Sequence, residues 1–130
     1  MLHHAILAAE AAVTQVAAGG GQGVAVMTLQ ELFAAHKQMG RLYHEFLRVP
    51  ALSAGLYVLP AGAADPQQPH AEDEIYHVLR GRARVRVADE EQAVGPGDTI
   101  YVAANVEHRF LDISEELALL VFFAPAHVPG

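Results

Sequence analysis

From Tyr43 to Ala124 the chain alternates between short apolar-rich runs and clusters of turn formers. YHEFLRV stops at Pro50, and SAGLYVL stops at Pro60-Ala61-Gly62. EIYHVL leads into Arg80-Gly81, RARVRVA alternates strictly up to Asp89-Glu90, and QAV meets Gly95-Pro96-Gly97-Asp98. TIYVA meets Asn105, EHRFL meets an acidic segment from Asp112 to Glu116, and LALLVFFA stops at Pro125. Residues on alternate positions of an extended chain point to opposite faces, so each run predicts a strand with one buried face. About eight short strands with turn signals every ~8–12 residues predict an all-β sandwich or barrel. The tail PAHVPG reads as irregular.

Upstream the period changes. Residues 1–18 are alanine-rich, with Ile6, Leu7, Val13 and Val16 on one helical side, and predict a short helix. The segment GGGQG, Gly19 to Gly23, then reads as a flexible linker. Thr28-Leu29-Gln30-Glu31 has the form of a capping box, in which the hydroxyl takes the amide three residues on and the glutamate reaches back. Leu29, Leu32, Phe33, His36 and Met39 follow at helical spacing, and Gly40 is placed to end the helix. His36 on that face is expected to pack half-buried rather than to bind a ligand. The predicted organisation is a helical extension with a glycine-rich linker over 1–40 and a β domain over 41–130. Met27, just before the cap, is a plausible natural start, with residues 1–26 lying outside the core.

Composition narrows the chemistry. At 130 residues and 52% hydrophobic, the chain has enough apolar material for one core without staples. It has no cysteine, which excludes disulfides, a thiol nucleophile and thiolate metal ligands, so any metal must be held by nitrogen and oxygen. A net charge of −7 argues against a nucleic-acid partner. The evenly spaced Arg80, Arg82, Arg84 and Arg86 read as a solvated strand face. No apolar run reaches the ~18 residues of a membrane helix. The N-terminus lacks the basic start of a signal peptide, and Glu10 interrupts its apolar stretch. No membrane partner is expected, and the default compartment is cytoplasmic.

The segment QQPHAEDEIYHVLRG, Gln67 to Gly81, gathers two histidines and three acidic residues, Glu72, Asp73 and Glu74, around the start of a strand. His70 precedes Glu74 by four residues, and six residues separate Glu74 from Gly81. Downstream, Gly97 opens GDTIYVAANVEHRFLD, with His108 eleven positions on. This layout resembles the two sequence motifs of the cupin superfamily, over roughly Tyr43 to Pro125. The family's first motif is Gly, His-x-His, three or four residues, Glu, six residues, Gly; its second is Gly, five residues, Pro-x-Gly, two residues, His, three residues, Asn. Gln68 stands where the first histidine is usual. Ala103, Asn105 and Asp112 stand where proline, glycine and asparagine are usual. Asn105 suits a left-handed turn better than most residues.

The resemblance implies a double-stranded β-helix, a small jelly-roll barrel in which the motif residues converge on a metal. His70, Glu74 and His108 are the positions carried over as ligands. Two imidazoles and a carboxylate suit a divalent Zn, Fe, Mn, Ni or Co ion. A metal also accounts for a glutamate inside a barrel, where an unpaired carboxylate is costly. Gln68, through its amide oxygen, and Glu72 are the candidates for an additional ligand. The competing expectation for Glu72 and Asp73 is a solvated acidic loop. Strand parity places Glu74, Tyr76 and Val78 on one face and Ile75, His77 and Leu79 on the other, so His77 is expected to take no part. Tyr76 and Phe110 are candidate pocket walls, or plain core. His3, His4, His44 and His127 fit neither motif.

Two function classes follow. One is a metal-dependent enzyme of dioxygenase, isomerase or lyase type acting on a small polar molecule. The other is a non-catalytic module that binds or senses a small ligand. No second catalytic constellation stands out, and Tyr76 and Glu72 are the nearest to a general base. The outward face of Ile75, His77 and Leu79 needs cover, from a second copy in a homodimer or from the N-terminal helix.

Overall fold

A computed structural model describes residues 23–129. The helix expected over 1–18, most of the glycine linker, His3 and His4 lie outside the described residues. In chain order the elements are α1 (Leu29–Met39), β1 (Tyr43–Val49), β2 (Leu52–Leu59), β3 (Asp73–Val87), β4 (Glu90–Val94), β5 (Thr99–Val102) and β6 (His108–Ala124). All strand pairings are antiparallel, in the order β1-β2-β6-β3-β4, with β5 also paired to β3. The sheet is curled into the double-stranded β-helix that the sequence implied.

Six strands replace the eight expected, because two of the turn signals are bulges. Gly81 lies inside β3 at φ +92°, where the ladder to β6 shifts register between Val78 and Arg84. A Cβ at Gly81 would overlap the Glu116 carbonyl and the Leu117 backbone, so only glycine lets the two strands approach there. Asp112 at φ +50° likewise bends β6 without breaking it. EIYHVL and RARVRVA therefore form one strand, and EHRFL and LALLVFFA form another.

These bulges bend a long β3–β6 ribbon back on itself. Along β3, Glu74 lies opposite Phe123 of β6, and Val87 lies opposite His108. Thirteen positions of straight strand would put the two ends about 43 Å apart. Instead Glu74 and His108 are in contact, with His108 Nε2 3.1 Å from Glu74 Oε1. Closure is completed by β5, whose Val102 pairs with Glu74, and by the Asn105 amide, which donates to the His70 carbonyl at 2.6 Å. Asn105 takes φ +65°, the left-handed turn expected of it.

Burial follows parity. Glu74, Tyr76, Val78, Ala83 and Val85 of β3 are buried, and Ile75 is 41% exposed. The interior is packed by Tyr57, Leu59, Val78, Phe110, Leu117 and Leu119 among others. β2 is buried on both faces. Tyr57 and Leu59 enter the barrel, while Leu56 and Val58 meet Leu32 of α1 and Ala118 on the outside. The Tyr43 ring lies over Gly55, where any side chain would overlap it.

Helix α1 begins and ends as its sequence predicts. Thr28 Oγ1 accepts from the Glu31 amide at 3.1 Å, and Gly40 is left-handed at φ +67°. Glu31 reaches back to the Thr28 hydroxyl rather than to its backbone amide. His36 is half-buried, and its Nε2 donates to the Leu42 carbonyl at 2.7 Å, fastening the helix end to β1. The arginine row is solvated and ion-paired: Arg80 with Glu116, Arg82 with Glu115, and Arg84 and Arg86 with Glu91.

Candidate metal centre

Glu74 projects into one end of the barrel with 1% of its surface exposed. It is flanked by His108, 3% exposed at the start of β6, and by half-buried His70 from the loop before β3. Glu74 Oε1 is 3.1 Å from His108 Nε2 and 3.9 Å from His70 Nε2. The His108 approach is close enough for charge attraction but lacks hydrogen-bond geometry, and neither carboxylate oxygen has a hydrogen-bond partner. A buried carboxylate left this way is costly unless something else meets it. Ligand atoms of His70, Glu74 and His108 all lie within 4.8 Å of one another, so a divalent ion fits the group.

The tautomer of His108 supports this. Its Nδ1 lies 3.0 Å from the Val106 carbonyl, which can only accept, so Nδ1 carries the proton. That leaves Nε2 aimed at Glu74 and at the Tyr76 hydroxyl, 3.0 Å away. A histidine anchored through one nitrogen to a carbonyl and ligating through the other is the usual arrangement at metal sites. Burial lowers the pKa of His108, but contact with Glu74, the Val106 carbonyl and the charges of Glu74 and Asp65 outweigh it and hold the imidazole above its ordinary range. His70 is pulled below its ordinary range, first by burial. Tyr76, held well above 10 by burial and by Glu74, stays a neutral phenol.

The structure brings His70, Glu74 and His108 together and leaves Gln68 out. Gln68 is exposed, and the loop instead turns Gln67 inward. Gln67 Oε1 accepts from the Tyr76 hydroxyl at 2.8 Å and lies 3.2 Å from His70 Nε2. Glu72 also departs from expectation. It is 4% exposed rather than solvated, yet it does not enter the Glu74–His108 cluster. Its Oε1 is 2.6 Å from His127 Nδ1, and its Oε2 accepts from the Val128 amide at 3.3 Å. Burial raises its pKa, but the bonds from His127 and Val128 prevail and hold it below the ordinary carboxylate range. Asp73 is the exposed member of that pair, capping the Ala104 amide at 2.9 Å. His77 faces outward against Thr99, as parity required. Tyr76 touches the site through its hydroxyl, while Phe110 stands behind it, edge-on at 5.0 Å, as core.

Three residues of this region escape a reading of the sequence. Asp65 is 3% exposed and collects four donors: the Tyr57 hydroxyl, the Gln67 amide and side chain, and the Phe110 amide. Its signal is slight, an aspartate before a proline, which reads as an ordinary turn. Gln67 is hidden by its neighbour Gln68. His127 comes from the irregular tail and stacks on Phe123 with its ring 4.8 Å from that of His70, and no spacing rule reaches it. His70, Glu72 and His127 form a second group within reach of one cation.

The fold and this site define a small antiparallel barrel with a histidine–carboxylate cluster at one end. The family profile of the cupin domain matches residues 55–124. SCO3923, an uncharacterized protein of Streptomyces coelicolor, is 46% identical over 97 residues, covering 75% of this chain and 92% of that protein. The chain belongs to the cupin family. Among solved structures, TT1209 from Thermus thermophilus superposes with a TM-score of 0.62 at 25% identity, over 78% of this chain and 97% of that one. An RmlC-like cupin from Shewanella frigidimarina superposes with a TM-score of 0.60 at 21% identity, over 65% of this chain and 75% of that one.

Proposed function

We propose that this cupin binds one divalent transition-metal ion (Zn, Fe, Mn, Ni or Co) through His70, Glu74 and His108, and presents it to a small polar molecule. The observation that carries the reading is the Glu74 carboxylate, buried between two imidazoles with both oxygens lacking a hydrogen-bond partner. Glu74 and His108 supply charge and a lone pair from rigid strands, and His70 closes the group from its loop. The Tyr76 phenol stands beside His108 with its proton given to Gln67 Oε1, and so fixes the inner wall of the site. A bound metal would act as a Lewis acid towards an anionic or carbonyl oxygen of that molecule. The reading extends to an enzyme of dioxygenase, isomerase or lyase type.

The test is the metal content of freshly purified protein, followed by oxygen-consumption and product assays on a panel of small hydroxy and keto acids and sugars. A stoichiometry near one, lost in His108→Ala, supports the site. Protein that neither retains nor takes up any of the five metals refutes it. Metal-loaded protein that turns over nothing on the panel leaves the non-catalytic binding module as the reading.

We further propose a homodimer. Leu79 and Leu120 pack against the outer cluster that includes Leu32 of α1, but Ile75 is 41% and its cross-strand neighbour Tyr101 60% exposed on the same outer face. Two large apolar residues side by side are what a second copy would cover. No helix among the described residues is long and apolar enough to cross a membrane, and a cytoplasmic location is part of the same proposal.

A further inference from the structure

We infer that Gln67, oriented by Asp65, is the fourth protein ligand of the metal. This rests on the proposed reading of the His70–Glu74–His108 site and adds a residue that neither sequence motif assigns.

The orientation of the Gln67 side chain is settled by its neighbour. Its Nε2 lies 3.2 Å from Asp65 Oδ2, and its backbone amide donates to Asp65 Oδ1 at 3.2 Å. A carboxylate only accepts, so the amide NH2 must face Asp65. The carbonyl oxygen is thereby turned to the other side, toward His70 Nε2 at 3.2 Å and the Tyr76 hydroxyl at 2.8 Å. Asp65 is itself held by the Tyr57 hydroxyl at 2.6 Å and the Phe110 amide at 2.9 Å, so the lock is built into the barrel wall.

Two atoms bound to one ion through bonds of about 2.1 Å lie about 3.0–3.4 Å apart when they occupy adjacent corners of an octahedron or a tetrahedron. Gln67 Oε1 and His70 Nε2 meet that spacing at 3.2 Å, as do His108 Nε2 and Glu74 Oε1 at 3.1 Å. Tyr76 links the two pairs, its hydroxyl within 3.0 Å of His108 Nε2 and 2.8 Å of Gln67 Oε1. His70 Nε2 and Glu74 Oε1 stand wider, at 3.9 Å, so His70 would draw in on an ion, with the amide oxygen entering between His70 and Tyr76. An amide oxygen is a harder donor than imidazole. Its presence shifts the set from three nitrogens and one oxygen toward two of each, which favours a harder ion such as Mn2+ relative to a site with a third imidazole. Asp65 acts on the ion only through Gln67 and is a positioning residue.

The experiment titrates Co2+ alone into metal-free protein by calorimetry, and records the visible absorption of the Co2+ complex as a second readout. Wild type is expected to bind one ion per chain. Gln67→Ala should weaken binding at least about tenfold and change the Co2+ spectrum, while Gln68→Ala changes neither. Gln67→Met keeps the length without the oxygen and serves if the alanine variant fails to fold. Asp65→Asn should weaken binding in the wild-type background and have no further effect in the Gln67→Met background, because its role passes through residue 67. Wild type that binds no Co2+ overturns this inference, and the metal reading falls with it if Zn2+, Fe2+, Mn2+ and Ni2+ also fail to bind. Wild type that binds, with affinity and spectrum unchanged in both residue-67 variants, overturns the Gln67 assignment alone. An equal Asp65→Asn effect in both backgrounds overturns the positioning role.

Discussion

Replacing Glu74 with glutamine should make the metal-free protein more stable and the metal-loaded protein less so. The Glu74 side chain is 1% exposed, and neither oxygen has a hydrogen-bond partner. The cost of a buried carboxylate without full pairing is several kcal/mol even after relaxation. Attraction to His108, 3.1 Å away, offsets part of it. That offset depends on pH. His108 has its pKa raised on folding, so its contribution is fully present below the unfolded value of ~6.5 and is lost as pH rises through the folded value. At pH 8 the metal-free protein has therefore lost more of this pairing than at pH 6. The substitution should gain about 1–2 kcal/mol there, or roughly 4–10 °C in melting temperature for a domain of this size. Metal reverses the order. An ion at a thousand times its dissociation constant stabilises the wild type by about 4 kcal/mol, and Glu74→Gln should forfeit nearly all of it. Metal binding has the opposite pH dependence from the metal-free pairing, weakening as pH falls and protons claim His108. The assay is urea denaturation of both proteins at pH 6 and pH 8, each with chelator and with excess metal. A variant less stable than wild type in chelator, yet still stabilised by metal, would show that Glu74 holds the barrel together and does not bind the ion.

Three further outcomes follow from named contacts. His127→Ala leaves the Glu72 carboxylate 4% exposed with only the Val128 amide for a partner, and should cost about 1–3 kcal/mol at pH 7 in a urea titration. Because Glu72 has its pKa lowered on folding, that difference is present above ~4.5 and should shrink as pH falls through the folded value; a cost that does not shrink anywhere on acidification would contradict the Glu72 clasp. Ile75→Glu should convert a particle of twice the 13.9 kDa chain mass into a monomer by light scattering, and a wild type that is already monomeric at micromolar concentration removes the dimer proposal. Deleting residues 1–26 removes Val24 and Val26, 91% and 77% exposed, and should shift the melting temperature by less than about 4 °C; loss of folded protein would show that the segment packs on the barrel.

The sequence by itself determined the class of fold and the face on which the site lies. Period-two alternation in EIYHVL assigns Glu74 and Tyr76 to the interior and His77 to the outside, because side-chain direction along a strand is a local property. The cap at Thr28, the left-handed stop at Gly40 and the turn at Asn105 were legible for the same reason: each is fixed by a few adjacent residues. Gly81 and Asp112 were misread as turns because a left-handed residue looks alike in a turn and in a bulge; the difference lies in whether a partner strand continues past it. The contact between Glu74 and His108 was accessible only through a family resemblance, since it depends on the bent β3–β6 ribbon closing on itself. What only the tertiary structure decided is which neighbours enter the site. Gln67 and Gln68 are indistinguishable by composition, and Asp65, held by Tyr57 of the preceding strand and by Phe110 of the remote β6, turns the first inward and leaves the second in solvent. His127 reaches Glu72 across 55 residues because Ser53 and Arg48 hold the tail over the barrel end. Contacts of that kind are selected by the packing of strands remote in sequence, and no local pattern encodes them.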